Sequence, residues 1–141
     1  MCIRDRQRLD LDLPVPGYAH PGDAGIDLYA AHNAIVTGDT VLIFTGVAVA
    51  VPDGYGGLVC PRSGLAKHGV TVANAPGVID SGYRGELMVR LTTTSKNPYR
   101  VHRGDRIAQL LVVPILRPEV NVVVDLDDTE RGANGFGSTG R

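Results

Sequence analysis

The feature that most constrains this chain is a rhythm of short aliphatic runs, alternating inward and outward residues, broken by Gly, Pro, Asn or Asp about every eight to twelve residues. "ELMVRLTTT" places Leu87, Val89 and Leu91 on one face and Glu86, Met88 and Arg90 on the other. That period of two fits a strand and not a helix. "RLDLDLP" alternates from Arg8 to Leu13 and predicts a half-buried strand. "TVLIFTGVAVAVPDG", Thr40 to Gly54, predicts a longer one, bent at Gly46 and closed by a Pro-Asp-Gly turn. "AGIDLYA", "GGLVC", "GVTVA", "DRIAQLLVVPIL" and "NVVVDL" supply further strands, and the best helix candidate is one turn around Leu65–His68. The fold class is therefore all-β: a sandwich, jelly roll or barrel.

With 141 residues the chain fits one domain, 1–141, with a β core over 8–126. The first seven residues fit no strand pattern and need not be a native start. The tail 127–141, "DDTERGANGFGSTGR", has one large apolar residue, Phe136, among glycines and small polar residues. Such a tail cannot build a core and is expected to be mobile until a ligand binds. Two cysteines, one of them Cys2, support neither a disulfide framework nor a zinc site, and a reducing cytoplasm is the expected home. No apolar run approaches the roughly 20 residues of a membrane span. A formal net charge of −1 argues against a broad nucleic-acid footprint, so any anion site must be local.

Several residues carry chemistry. In "GVIDSGYRGELMVRL", Asp80 follows Val78 and Ile79 directly and precedes a turn made by Ser81 to Gly85, an unusual place for an acid at the apolar end of a hairpin. "PRSGLA" sets Arg62 and Ser63 beside Gly64: a guanidinium fork, a hydroxyl and exposed N–H groups suit a phosphate, although a solvated surface arginine explains the same residues. The tail adds Arg131, Ser138 and Thr139 as donors and Phe136 as a ring that can stack. Asp27 and Gln109 sit within alternating strands, where each taken singly reads as an outward polar residue. His20, His32, His68 and His102 have no metal-ligand spacing and read as surface or loop residues.

Taken together, "AGIDLYA", "PRSGLA", "GVIDSGYRGELMV", "GDRIAQLLVVP" and "RGANGFGSTG" resemble, in order and approximate spacing, the five motifs of the trimeric dUTPases, the deoxyuridine triphosphate nucleotidohydrolases. The resemblance covers nearly the whole chain from Leu9. It implies a jelly-roll-like dUTPase fold with a flexible Gly-rich C-terminal arm, and a homotrimer whose active sites are shared between subunits. The third motif would come from one subunit, the first, second and fourth from its neighbour, and the arm from the third.

The implied reaction converts dUTP and water into dUMP and pyrophosphate by attack at the α-phosphorus, with Asp80 activating the water. By the same resemblance Arg62, Ser63, Gly64 and Gln109 hold the triphosphate from one side, while Arg131, Gly137, Ser138 and Thr139 close from the other. Mg2+ would be bound chiefly by phosphate oxygens and waters, with Asp27 holding one of those waters. Gly77, Val78 and Ile79 with the Asn74 amide would read the uracil edge. Met88 would contribute to the nucleoside pocket, Tyr83 would exclude a 2′-hydroxyl, and Phe136 would cover the base. Asn134 stands where the family commonly has glycine, and asparagine tolerates left-handed backbone well enough for the arm to close. Two other readings remain open. One is a deaminase of the same fold acting on dCTP, alone or with dUTPase activity; the other is a silent nucleotide-sensing module. Ammonia release from dCTP and pyrophosphate release from dUTP separate them.

Overall fold

The computed structural model describes residues 5–134. Among these the elements are β1 (Asp5–Arg8), β2 (Ile26–Tyr29), β3 (Ala34–Val36), β4 (Val41–Ala50), β5 (Tyr55–Cys60), α1 (Ser63–Ala66), β6 (Val70–Val72), β7 (Gly77–Ile79), β8 (Glu86–Thr93), β9 (Tyr99–Val101) and β10 (Arg106–Pro114). The strands form two four-stranded sheets, ordered β1-β4-β8-β6 and β2-β10-β5-β7, and a small β3-β9 pair. Every pairing is antiparallel. The architecture is all-β, as the alternation predicts, and jelly-roll-like, as the resemblance implies.

One hydrophobic cluster lies between the two larger sheets. Ile43, Val47, Leu87, Val89 and Leu91 enter it from the first, and Leu28, Val59, Ala108 and Leu110 from the second. Leu28, Ile43, Leu87, Leu91, Ile107 and Leu110 are fully buried, each such side chain contributing about 1.5–3 kcal/mol. The outward residues of β8, Met88 and Arg90, stay exposed, so the strand reads as its sequence does. Among the described residues no helix is long and apolar enough to cross a membrane.

Four sequence expectations are corrected. The strand expected over Arg8–Leu13 lies instead at Asp5–Arg8, and the reason is Gly46. This residue has φ +69°, β4 shifts register between Phe44 and Ala48, and the Gly46 carbonyl accepts from both Leu9 N (2.8 Å) and Asp10 N (3.2 Å). A Cβ on Gly46 would stand 2.7 Å from Asp10 Cβ. The chain therefore leaves the sheet after Arg8, and of its alternating leucines only Leu13 is buried. "NVVVDL" is not a strand: Val122 and Val124 are almost fully exposed, and no sheet edge among the described residues receives them. The helical turn begins at Ser63 rather than Leu65, and the backbone closes it through His68 N to Leu65 O and Gly69 N to Ala66 O.

The fourth correction bears on function. The segment containing Asp80 is not a paired hairpin, because β7 pairs with β5 in one sheet while β8 pairs with β4 and β6 in the other. Asp80 sits at the corner where the chain crosses between sheets.

Candidate active site

That corner opens onto a cleft of about 280 Å3 lined by Asn74, Val78, Ile79, Asp80, Tyr83 and Met88, together with Leu42, Glu86, Leu87 and Arg90. Leu42 and Met88 project from the outer face of β4 and β8, which gives the cleft an apolar floor. Its wall is β7, the terminal strand of its sheet, bonded to β5 on one side only. The other edge of β7 therefore presents backbone N–H and C=O groups, the material for reading a polar ring edge. Asn74 belongs to the same wall: its Nδ2 lies 3.4 Å from where a Gly77 Cβ would stand, so the amide lies beside the strand.

The corner itself is held by its own hydrogen bonds. Tyr83 N donates to Asp80 O at 3.1 Å, Tyr83 Oη to Glu86 O at 2.9 Å, and Arg84 Nη1 to Ser81 O and Tyr83 O at 2.7 and 2.8 Å. Asp80 is exposed. Among the described residues its carboxylate has no hydrogen-bonded or ion-paired side-chain partner, which leaves it available to a water.

A second cleft, of about 310 Å3, gathers Asp27, Arg62 and Gln109 with His20, Gly25 and Arg106. The ladders explain this assembly. Gln109 faces Asp27 across β10 and β2, and faces Cys60 across β10 and β5, whose chain continues directly into Arg62. Asp27 is buried at 7% exposure. Its Oδ1 meets Arg62 Nε at 2.9 Å and its Oδ2 meets Arg106 Nη1 at 3.3 Å. The two guanidiniums share one carboxylate, and Asp23 lines the cleft as well; the arginines' remaining N–H donors can bind an anion. Gln109 Nε2 donates to Pro61 O at 2.8 Å. A Cβ on Gly25 would collide with Gln109 Oε1 and approach its Cβ and Cδ to 3.1 Å, so only glycine leaves that amide its place.

Arg106 is the residue that sequence reasoning misses. Strict alternation puts it on the face opposite Gln109, three residues away. A register shift between Arg106 and Ala108 brings both toward Asp27.

Among the described residues no group of three or more His, Cys, Asp or Glu could hold a metal ion. The donors present fit a hard cation that keeps its waters. Asp27 spends one contact per oxygen on the arginines and retains lone pairs for a water hydrogen.

Ser63 and Gly64 are exposed on α1, next to Arg62 in the chain. Arg131 is exposed; its Nε donates to Asn134 O at 3.0 Å and its carbonyl accepts from Asn134 N at 3.3 Å. Phe136, Gly137, Ser138 and Thr139 lie outside the described residues. Of the predicted site residues, Asn74, Val78, Ile79, Asp80, Tyr83 and Met88 line one cleft and Asp27, Arg62 and Gln109 the other, with no lining residue in common, while Ser63, Gly64, Gly77 and Arg131 line neither.

The dUTPase family model matches residues 12–140. Deoxyuridine 5'-triphosphate nucleotidohydrolase of Thermobifida fusca is 53% identical over 137 residues, covering 95% of this chain and 76% of its own. The protein of the same name from Cutibacterium acnes is 54% identical over 129 residues, covering 89% and 85%. Among solved structures, the Staphylococcus bacteriophage 80alpha dUTPase with dUPNHPP superposes with a TM-score of 0.85 at 30% identity, covering 97% of this chain and 98% of that one. A variant dUTPase from phage phi11 of S. aureus, described with a structural Mg(II) ion, has a TM-score of 0.79 at 26% identity over 88% of this chain and 98% of its own.

Proposed function

The chain belongs to the dUTPase family, and on that premise we propose how it hydrolyses dUTP to dUMP and pyrophosphate. The uracil enters the Asp80 cleft. The free edge of β7 at Gly77, Val78 and Ile79, with the Asn74 amide, offers the complement of its acceptor–donor–acceptor edge. Cytosine leaves those groups unpaired, which is the effective kind of discrimination. Met88 floors the pocket, and the Tyr83 ring, tethered by its hydroxyl to Glu86 O, closes the space a 2′-hydroxyl needs.

Asp80 accepts a proton from the attacking water, whose oxygen bonds the α-phosphorus as the bond to the bridging oxygen breaks and pyrophosphate leaves. General-base help of this kind contributes about 10²–10⁴ in rate. The rest is positioning and charge neutralisation. Arg62, Arg106 and Gln109, with Ser63 and the Gly64 N–H, face the triphosphate from one side. Arg131, Phe136, Gly137, Ser138 and Thr139 complete the site from the other. Mg2+ would neutralise phosphate oxygens, and Asp27 would hold one of its waters. The dUMP released is a precursor for dTMP synthesis.

The observation that carries this reading is the division of the site residues. The nucleoside cleft and the arginine cleft are separate on one chain, which suits a homotrimer where one subunit's Asp80 faces a neighbour's Asp27, Arg62 and Gln109. Assaying pyrophosphate release from dUTP, dTTP, dCTP and UTP, with and without Mg2+, tests the chemistry. Release confined to dUTP supports it; equal release from dCTP, or ammonia from dCTP, contradicts it. Equilibrium sedimentation tests the trimer, and a monomer active at full rate rules out shared sites.

A further inference from the structure

Arg117 stands just past β10, where the chain begins its run to the C-terminus, and none of the five motifs contains it. Its Nη1 donates to Asp53 Oδ1 at 3.0 Å and its Nη2 to Ser81 Oγ at 3.2 Å. Asp53 lies in the Pro-Asp-Gly turn between β4 and β5. Ile115 N binds the same turn, donating to Gly54 O at 2.9 Å. One guanidinium fork therefore spans two segments that share no ladder: a turn anchored to both β5 and β10, and the corner residue next to Asp80. Ser81 is engaged twice, at its carbonyl by Arg84 and at its hydroxyl by Arg117.

We infer that Arg117 is a positioning residue for Asp80, a strut from the root of the C-terminal segment that fixes the exit of the corner. The inference rests on Asp80 being the base. On the near side Asp80 is fixed by β7, whose Ile79 pairs with Gly57. On the far side, after Ser81, the chain runs through exposed residues to Glu86. The corner's own hydrogen bonds hold its shape, and the Arg117 bond ties it at Ser81 to a segment outside it; catalysis is sensitive to displacements of about 1 Å. Arginine suits the task because its planar fork reaches two acceptors at once, whereas an ammonium is a point donor. The Arg117 hydrogen bond also lowers the Asp53 carboxyl from its ordinary value.

The test is steady-state kinetics of the full chain with dUTP for Arg117→Gln, Ser81→Ala, the double variant and Arg117→Lys, with thermal melting of each. Each single variant is expected to lower kcat about threefold to tenfold, the scale of one hydrogen bond, with KM changed by less than about twofold. The double variant should fall no further than the worse single one, since both cut the same strut. Lysine should restore only part of the loss. Wild-type kcat in Arg117→Gln, losses that multiply in the double variant, or a change in KM alone would overturn the strut. So would a lower melting temperature with kcat intact, the mark of a merely structural residue. These outcomes leave the dUTPase reading untouched, because the parent protein still releases pyrophosphate. A parent inactive on dUTP overturns both.

Discussion

Asp27 Oδ1 accepts from Arg62 Nε at 2.9 Å, and this contact sets which way the first arginine of the anion cleft faces. The carboxylate is nearly buried and the guanidinium partly exposed, so the pair serves orientation more than stability. Asp27→Asn keeps the shape and loses the charge, leaving Arg62 and Arg106 to repel each other. We expect kcat/KM for dUTP to fall about tenfold or more. Kinetics on the purified variant check this, and an unchanged kcat/KM would mean the arginines hold their places without Asp27.

Asp80→Asn should bind dUTP with near-normal affinity and lose at least about 10²-fold in kcat, because the amide keeps the volume of the carboxylate and not its basicity. Isothermal titration with a non-hydrolysable dUTP analogue, beside turnover with dUTP, separates the two effects. Turnover at the parental rate would remove Asp80 from the base position.

The Tyr83 hydroxyl is already committed to Glu86 O, so its ring, not its hydroxyl, is left to discriminate the sugar. Tyr83→Ala should narrow the ratio of kcat/KM for dUTP over UTP, because the ring closes the space a 2′-hydroxyl needs. A ratio unchanged while both nucleotides remain measurable substrates would assign sugar selection to another group.

Acid sensitivity should appear at the N-terminal crossing. Arg103 Nη2 donates to Asp10 Oδ1 at 2.8 Å, and this hydrogen bond holds the Asp10 carboxyl below its ordinary value of 3.8. A carboxyl depressed in the folded state stabilises the fold above its unfolded value, and that contribution is lost as pH falls through the lower folded value. Urea midpoints of the parent and Asp10→Asn should therefore differ at about pH 7, and the difference should shrink as pH falls below the ordinary carboxylate value of 3.8. A difference that persists undiminished in acid would assign the effect to something other than this ionisation.

Much of this was legible because alternation reports burial directly. Leu87, Val89 and Leu91 are read as inward from their spacing, and inward they are. What the spacing could not carry was partnership. "RLDLDLP" alternates strictly and "NVVVDL" is rich in β-branched valine, but a strand also needs a neighbour, and Gly46 turns the first away while the second meets no edge among the described residues. Arg106 was hidden for a related reason, since a bulge changes the face on which a residue lies and leaves no mark in the periodicity. Asp80 looked like a hairpin residue because β7 and β8 are close in sequence. Their separation into two sheets is set by long-range pairing with β5 and β4.

The arm offers the sharpest test of shared sites. A chain ending at Asp128 retains every strand and the core cluster, so it should fold and assemble as the full chain does while hydrolysing dUTP poorly, having lost Arg131 and Phe136 to Thr139. Asp80→Asn should be poor for the opposite reason, with an intact arm and no base. If one subunit's arm completes another's site, trimers mixed by co-expression or joint refolding will contain sites that combine Asp80 from the truncated chain with the arm from the Asp80→Asn chain, and part of the activity should return. Recovery needs a site that neither lesion touches, and so both kinds of chain in one trimer; mixing without subunit exchange should give none. Tagging the two chains differently isolates the mixed trimers. If these have no activity above the parents, the arm must close over the Asp80 of its own subunit, whichever subunit supplies the Asp27, Arg62 and Gln109 cleft.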